Sequence, residues 1–301
     1  MFYVELFILG LPIAGLFALL GLGIVSIYRA TRILNLAHGA MAMFTAYVLY
    51  WLARAPSGPT LPLPIAVVLA LVFAGLQGWA LERFMLRPLR GRPVLTSVIM
   101  TVGALAFLTA FAGYLWGYDR QDAPSILPGG RTVSILGATL SIDRLLILVI
   151  CAALVLAVVA LFKRTTFGIA MRAVADDPDA AVLMGIPATR ISQITWAGGS
   201  ILAGIAGILL SPIIGLQPIN LTLLAIPAYA AALFGGLSSL PMTLIGAGII
   251  GVAYAVIPAL PIVASSGFPG ARELVIFGSV IVFLFVRWQQ LFGSSLDEEV
   301  A

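Results

Sequence analysis

The chain has 301 residues, of which 61% are hydrophobic and 9% charged, with a mean hydropathy of +1.13, a net charge of +4 and a pI near 9.5. A soluble domain carries about 25% charged residues, so the side chains needed for a water-facing surface are missing and the chain reads as an integral membrane protein. Its basic residues lie between hydrophobic stretches, which argues against nucleic acid as a partner, and the lone Cys151 permits neither a disulfide framework nor a thiolate metal site.

A membrane-spanning helix needs about 20 apolar residues, so stretches free of Asp, Glu, Lys and Arg are the natural units. The opening "MFYVELFILG" has no basic run and no small-residue cleavage site before its apolar stretch. It is expected to begin the first membrane segment, 6–28, rather than a removable signal. The second segment, 33–53, begins "ILNLAHGAMAMF" and carries Asn35, His38, the only histidine, and Gly39 near its start. If the helix is regular there, the three share a face. That face is a poor one to offer to lipid, so it should point into the bundle. Either these residues hold neighbouring helices together, or they line the inner end of a solute path.

The third segment is 55–81, with its helix starting near Pro62 or Pro64. The fourth is 93–118 and the fifth 145–162. From 191 to 271 there is no formal charge over 81 residues, room for three spans with turns in "SPIIGLQPIN" and "GGLSSLP". A last segment covers 274–288. The expected fold is therefore an all-α polytopic bundle of about nine membrane segments, with eight or ten still open. It forms a single transmembrane domain over 1–301. Stripes such as Gly199, Ala203, Gly207 and Gly10, Ala14, Ala18 recur every four residues, the spacing that lets helices approach closely in lipid.

Lys and Arg set the orientation. Placing the links 81–93 and 163–190 inside, with Arg29, Arg32 and Arg287, makes 11 of the 16 basic residues cytoplasmic. The loop 118–144 is then periplasmic, the N-terminus outside and the C-terminal "LDEEVA" inside.

The link 164–190, "RTTFGIAMRAVADDPDAAVLMGIPATR", has a short punctuated helix at its centre. Asp177 suits the N-cap, Pro178 the first helical position and Asp179 the positive end of the helix dipole. Gly185 stands where a left-handed C-terminal cap belongs, and Pro187 follows. Two turns this exposed are marginal alone and make sense if their apolar face docks.

"DAAVLMG" resembles the "EAA…G" coupling-helix signature of ABC-importer permeases, with Asp179 in the glutamate's place. With "ILNLAHGAMAMFTAYV", "FGIAMRAVADDPDAAVLMGIPATRI" and "AGIAGILLSPI" in the same order, nearly the whole chain is similar to Liv-type permeases, the membrane subunits of branched-chain amino acid importers. One departure is "GGLSSLPM", where Ser238 and Met242 replace family glycines. The resemblance implies a bacterial inner-membrane permease that is not itself an enzyme. Its coupling loop would include Arg172, Asp177, Pro178, Asp179, Ala180, Ala181 and Gly185. It also implies a second homologous permease, two ABC ATPase subunits and a periplasmic solute-binding protein.

The chain's own residues agree that energy comes from elsewhere. There is no G-x-x-x-x-G-K-[ST] loop, and the only lysine, Lys163, follows Leu161 and Phe162. No cofactor is expected, with ATP hydrolysed by partner subunits. The main alternative is a secondary transporter or channel. None of the 28 charged residues falls deep in a predicted span, which argues against ion coupling but not against a passive channel. No H-E-x-x-H or G-x-S-x-G motif points to an enzyme. The solute stays open across branched-chain and other amino acids, amides, urea and aromatic acids.

Overall fold

The computed structural model describes residues 2–127, 130, 132–135, 138–260, 270, 274, 278 and 281. Among them run α1 (Phe2–Thr31), α2 (His38–Ala53), α3 (Leu63–Ala80), α4 (Val94–Trp116) and α5 (Ile142–Arg164). They are followed by α6 (Thr166–Asp176), α7 (Pro178–Leu183), α8 (Ala188–Ile214), α9 (Pro218–Leu223), α10 (Ala225–Phe234) and α11 (Leu240–Val256). A small antiparallel hairpin, β1 (Thr132–Ile135) with β2 (Ala138–Ser141), sits in the 118–144 loop and pairs Thr132 with Ser141. Six helical stretches among the described residues are long and apolar enough to cross a membrane. The protein is an all-α, multi-pass membrane bundle. The predicted last segment, 274–288, lies outside the described residues except at 274, 278 and 281, and the C-terminal "LDEEVA" lies outside them entirely.

Proline and glycine set the helix ends much as the sequence predicts. Pro62 and Pro93 immediately precede α3 and α4, where a missing N–H does no harm. Gly117 and Gly215 end α4 and α8 at φ +81 and +89.

Small residues make the seams. A Cβ on Gly10 would lie 2.8 Å from the Val252 Cα, and one on Gly251 would meet Ala14 at 2.5 Å, so α1 and α11 run in backbone contact. A Cβ on Gly207 would run into the Ala42 carbonyl of α2, and one on Gly78 into the Trp196 carbonyl of α8. Lipid tails are as apolar as leucine, so this close packing rather than hydrophobic burial holds the helices together.

Four expectations need correction. The second segment turns helical only at His38, not at 33. At 16 residues α2 spans about 24 Å at about 1.5 Å per residue, short of a full hydrocarbon core of about 30 Å. The third segment does not stop at Leu81. It continues through a π-helical turn (Leu81–Leu86) and a 3-10 turn (Arg87–Leu89), and this extension buries Glu82. A charge is therefore held inside a helical stretch after all.

The middle of the three uncharged spans is broken into α9 and α10, neither of which is long enough to cross a membrane alone. A Cβ on Gly21, in the middle of α1, would lie 3.0 Å from Thr243 in the first turn of α11 and 3.5 Å from the Ala228 carbonyl of α10. The turn into α11 thus packs beside α1 near Gly21, which lies about 15 Å from the Thr31 end at about 1.5 Å per residue. Finally, the 164–190 link holds two helices rather than one. Thr165 accepts from the Gly168 N–H at 3.2 Å to start α6, whose Gly168, Met171 and Val174 face inward at helical spacing.

At "GGLSSLPM" the left-handed residues are Gly236 (φ +57) and Leu237 (φ +56). Met242 lies inside α11, and Ser238 does not have positive φ. Neither replaced glycine stands where the backbone requires one.

Candidate functional site

The link 164–190 meets the bundle at the end where α1, the continuation of α3 and α8 carry their arginines. Arg32 donates to the Ala175 carbonyl at 2.9 Å, and Arg172 to the Phe162 carbonyl at 2.6 Å, closing the end of α5 against α6. In α7, the Asp177 carboxylate accepts from the Asp179 and Ala180 N–H groups at 3.0 and 2.9 Å. Pro178 occupies the first helical position.

At the other end of α7, Gly185 has φ +81, its N–H reaches the Val182 carbonyl at 3.0 Å, and the Ile186 N–H reaches the Ala181 carbonyl at 2.9 Å. This is the two-bond Schellman closure, and it needs a residue free to adopt positive φ. Of the predicted coupling residues, Ala181 is buried against the bundle, while Asp177, Pro178, Asp179, Ala180 and Gly185 are exposed. The outward apolar face is instead Val182, Leu183 and Met184, with Leu183 88% and Met184 82% exposed. The run "DAAVLM" carried this signal, but six residues are too few to show which side faces out.

The second cluster lies where two interrupted segments meet. Residues 33–37 are not helical, and their backbone is satisfied from elsewhere. Thr101 of α4 accepts from the Leu36 N–H at 3.2 Å, and its own proton is shared between the Val98 carbonyl at 2.8 Å and the Leu34 carbonyl at 3.3 Å. The Tyr229 hydroxyl of α10 donates to the Asn35 carbonyl. The Asn35 side chain accepts from the Ala37 N–H at 3.1 Å and reaches the Met41 sulfur at 3.3 Å. Asn35 therefore precedes α2 instead of sharing its face with His38 and Gly39.

Asn35, His38 and Gly39 are all buried. Neither His38 ring nitrogen makes a well-aligned hydrogen bond, although the Leu20 backbone offers one in weaker geometry. The His38 ring packs on Gly23, where a Cβ would lie 2.7 Å from Nε2. A Cβ on Gly39 would strike the Thr222 carbonyl and come within 2.6 Å of the Ala225 Cβ. Irregular backbone inside a membrane protein is tolerated only where protein or a wet cavity satisfies it, and paired interruptions of this kind are a pointer to where a solute passes.

Beyond the crossing, Tyr47 stacks on Trp116 with centroids 5.1 Å apart, and Phe44 meets Trp116 edge to face. They lead to a cleft of about 340 Å³ lined by Tyr50, Pro56, Ser57, Trp116 and Gln121. Tyr50 donates to the Gln121 side chain at 3.2 Å, and Gln121 pairs with Leu216 through the backbone, so this end is opposite to that of the 164–190 link.

A sequence model of the family described as "Branched-chain amino acid transport system / permease component" matches residues 6–285. The chain belongs to that family. The permease is 27% identical over 312 residues to the high-affinity branched-chain amino acid transport system permease protein LivH of Escherichia coli (strain K12), covering 100% of this chain and 98% of the relative. It is 27% identical to the permease protein BraD of Pseudomonas aeruginosa, over 99% of this chain and 98% of the relative. Against the probable branched-chain amino acid transport permease protein LivH of Methanocaldococcus jannaschii it is 28% identical, over 81% of this chain and 78% of the relative. No solved structure matches it. The family is one of transport permeases, not of enzymes.

Proposed function

We propose that this permease is the membrane-spanning subunit of an ATP-driven importer of branched-chain amino acids or closely related small solutes. It works in the bacterial inner membrane with a second homologous permease, two ABC ATPase subunits and a periplasmic solute-binding protein. The observation that carries this reading is α7, a helix capped at both ends that holds Leu183 and Met184 out of the bundle. Large apolar side chains held out on a rigid, well-capped element suit a protein groove. The solute would enter at the Tyr50–Gln121 cleft, pass the Phe44–Trp116 aromatics and leave past the crossing of 33–39 with α9 and α10. Among the described residues no charged side chain lines that cleft, so it fits a weakly held solute delivered by a separate receptor.

The test is to purify the complex from native membranes with and without Leu183→Asp. An ATPase pair should accompany the unsubstituted permease and be lost from the variant, because a carboxylate would be buried at the contact. A lone oligomer without ATPase, from the unsubstituted chain, would overturn the reading.

A further inference from the structure

Among the described residues one salt bridge is present, from Arg90 Nη2 to Glu82 Oε1 at 2.6 Å. The same oxygen accepts from the Ser192 hydroxyl at 3.0 Å, and Arg90 Nη1 donates to the Thr189 hydroxyl at 2.7 Å. Glu82 is 1% exposed, and its second oxygen, Oε2, has no partner. Arg90 is itself 43% exposed, and an ion pair open to solvent on one side is weak as a source of stability. Its place in the chain suggests a different use.

Thr189 and Ser192 are three residues apart in the first turn of α8, and so lie on one face. Only residues 184–187 separate that turn from α7. On the other side, Glu82 sits in the π-helical turn and Arg90 caps the 3-10 turn, both continuations of α3. The pair therefore fastens the element that follows the coupling helix to the end of a long membrane helix. π-Helical turns are rare and often stand at functional positions.

Between α7 and the bundle lies a cleft of about 320 Å³ lined by Arg90, Asp179, Val182 and Thr189, which leaves α7 room to move inward. Deeper in, α3 and α8 touch through backbone at Gly78 and Trp196, so a force applied at their ends moves both.

We propose that Glu82 and Arg90 form the joint that carries displacement of α7 into α3, with Thr189 as the input contact. The proposal rests on the coupling role given to α7 above. Glu82, Arg90 and Thr189 are positioning residues in it. They touch no solute and act by keeping the π-helical turn in step with the start of α8.

The test uses the complete complex reconstituted with its ATPase and receptor, reading solute moved per ATP hydrolysed alongside thermal stability. Thr189→Val removes one hydroxyl at nearly constant volume and leaves the Glu82–Arg90 pair intact. Solute moved per ATP should fall about tenfold, a factor equal to about 1.4 kcal/mol of coupling, while the melting temperature stays put and Thr189→Ser restores the ratio. Arg90→Gln should lower the ratio as well. Unchanged ratios in both Thr189→Val and Arg90→Gln would overturn the joint, and so would a loss of transport that only follows a loss of stability. If the unsubstituted complex moves no solute on ATP, the transport reading itself fails, and the joint fails with it.

Discussion

At the scale of single residues, the crossing of 33–39 with α9 and α10 is held by fit rather than by charge. His38 is fully buried and packs on Gly23 without a well-aligned hydrogen bond. His38→Ala should therefore lower stability by on the order of 2 kcal/mol, the low end for a large buried side chain, because mainly packing is lost. Thermal unfolding of the assembled complex measures this. Stability and uptake should fall together, whereas intact assembly with lost uptake would assign His38 to the solute path instead.

Gly39 gives a sharper contrast. A methyl there would meet backbone at Thr222, which cannot swing aside, while a methyl at Gly103 of α4 meets nothing within 4 Å. Gly39→Ala should destabilise and Gly103→Ala should be neutral or stabilising by up to about 1 kcal/mol, since alanine favours helix over glycine. Equal melting temperatures for the two variants would contradict the close approach. Asn35 and His38 were visible in the sequence as polar residues costly in lipid. Their separation onto a loop and a helix was not, because it depends on hydroxyls from Thr101 and Tyr229, far away in the chain.

At the scale of elements, α7 was the most legible part of the molecule. Its start and stop depend on local backbone chemistry, an acceptor at Asp177 and positive φ at Gly185, and both follow from residue type. Gly185→Pro fixes φ near −65° where +81° is found and removes the N–H bonded to Val182. Solute-stimulated ATPase should drop to the unstimulated level while the membrane helices keep their melting temperature, since Gly185 touches no span. Full stimulation in the reconstituted variant would remove α7 from the coupling route.

α6 was less legible, although Thr165 as a cap and the inward spacing of Gly168, Met171 and Val174 were there to be read. Glu82 was misplaced for a different reason. Counting charges marks Leu81 as the end of a span, yet one arginine eight residues on and one serine of α8 let the helix continue with the carboxylate inside.

At the scale of the whole molecule, contacts between Arg32 and Ala175 and between Arg90 and Thr189 gather the basic links at one end, opposite the Tyr50–Gln121 end. If that basic end is cytoplasmic, cysteines placed in 83–92 or 164–190 should resist an impermeant maleimide in intact cells, and one placed in 121–127 should react. The reverse pattern would invert the orientation. Cys151 is buried, and a Cβ on Gly15 would lie 2.8 Å from its Cβ. It should stay unlabelled even before replacement.

Composition gave the class of the molecule and charge-free stretches gave the long helices. Neither could show that 218–234 breaks into α9 and α10, because a broken stretch is as apolar as a continuous one. Residues 33–37 have a further consequence for how such a bundle can change shape. The Leu36 N–H and the Leu34 carbonyl reach one side chain on α4 and the Asn35 carbonyl another on α10, and a buried backbone group left without a partner costs free energy. Sliding either helix alone would strand a polar group, so the loop, α4 and α10 are geared to one another. Three pieces that look independent on a topology diagram share a single degree of freedom.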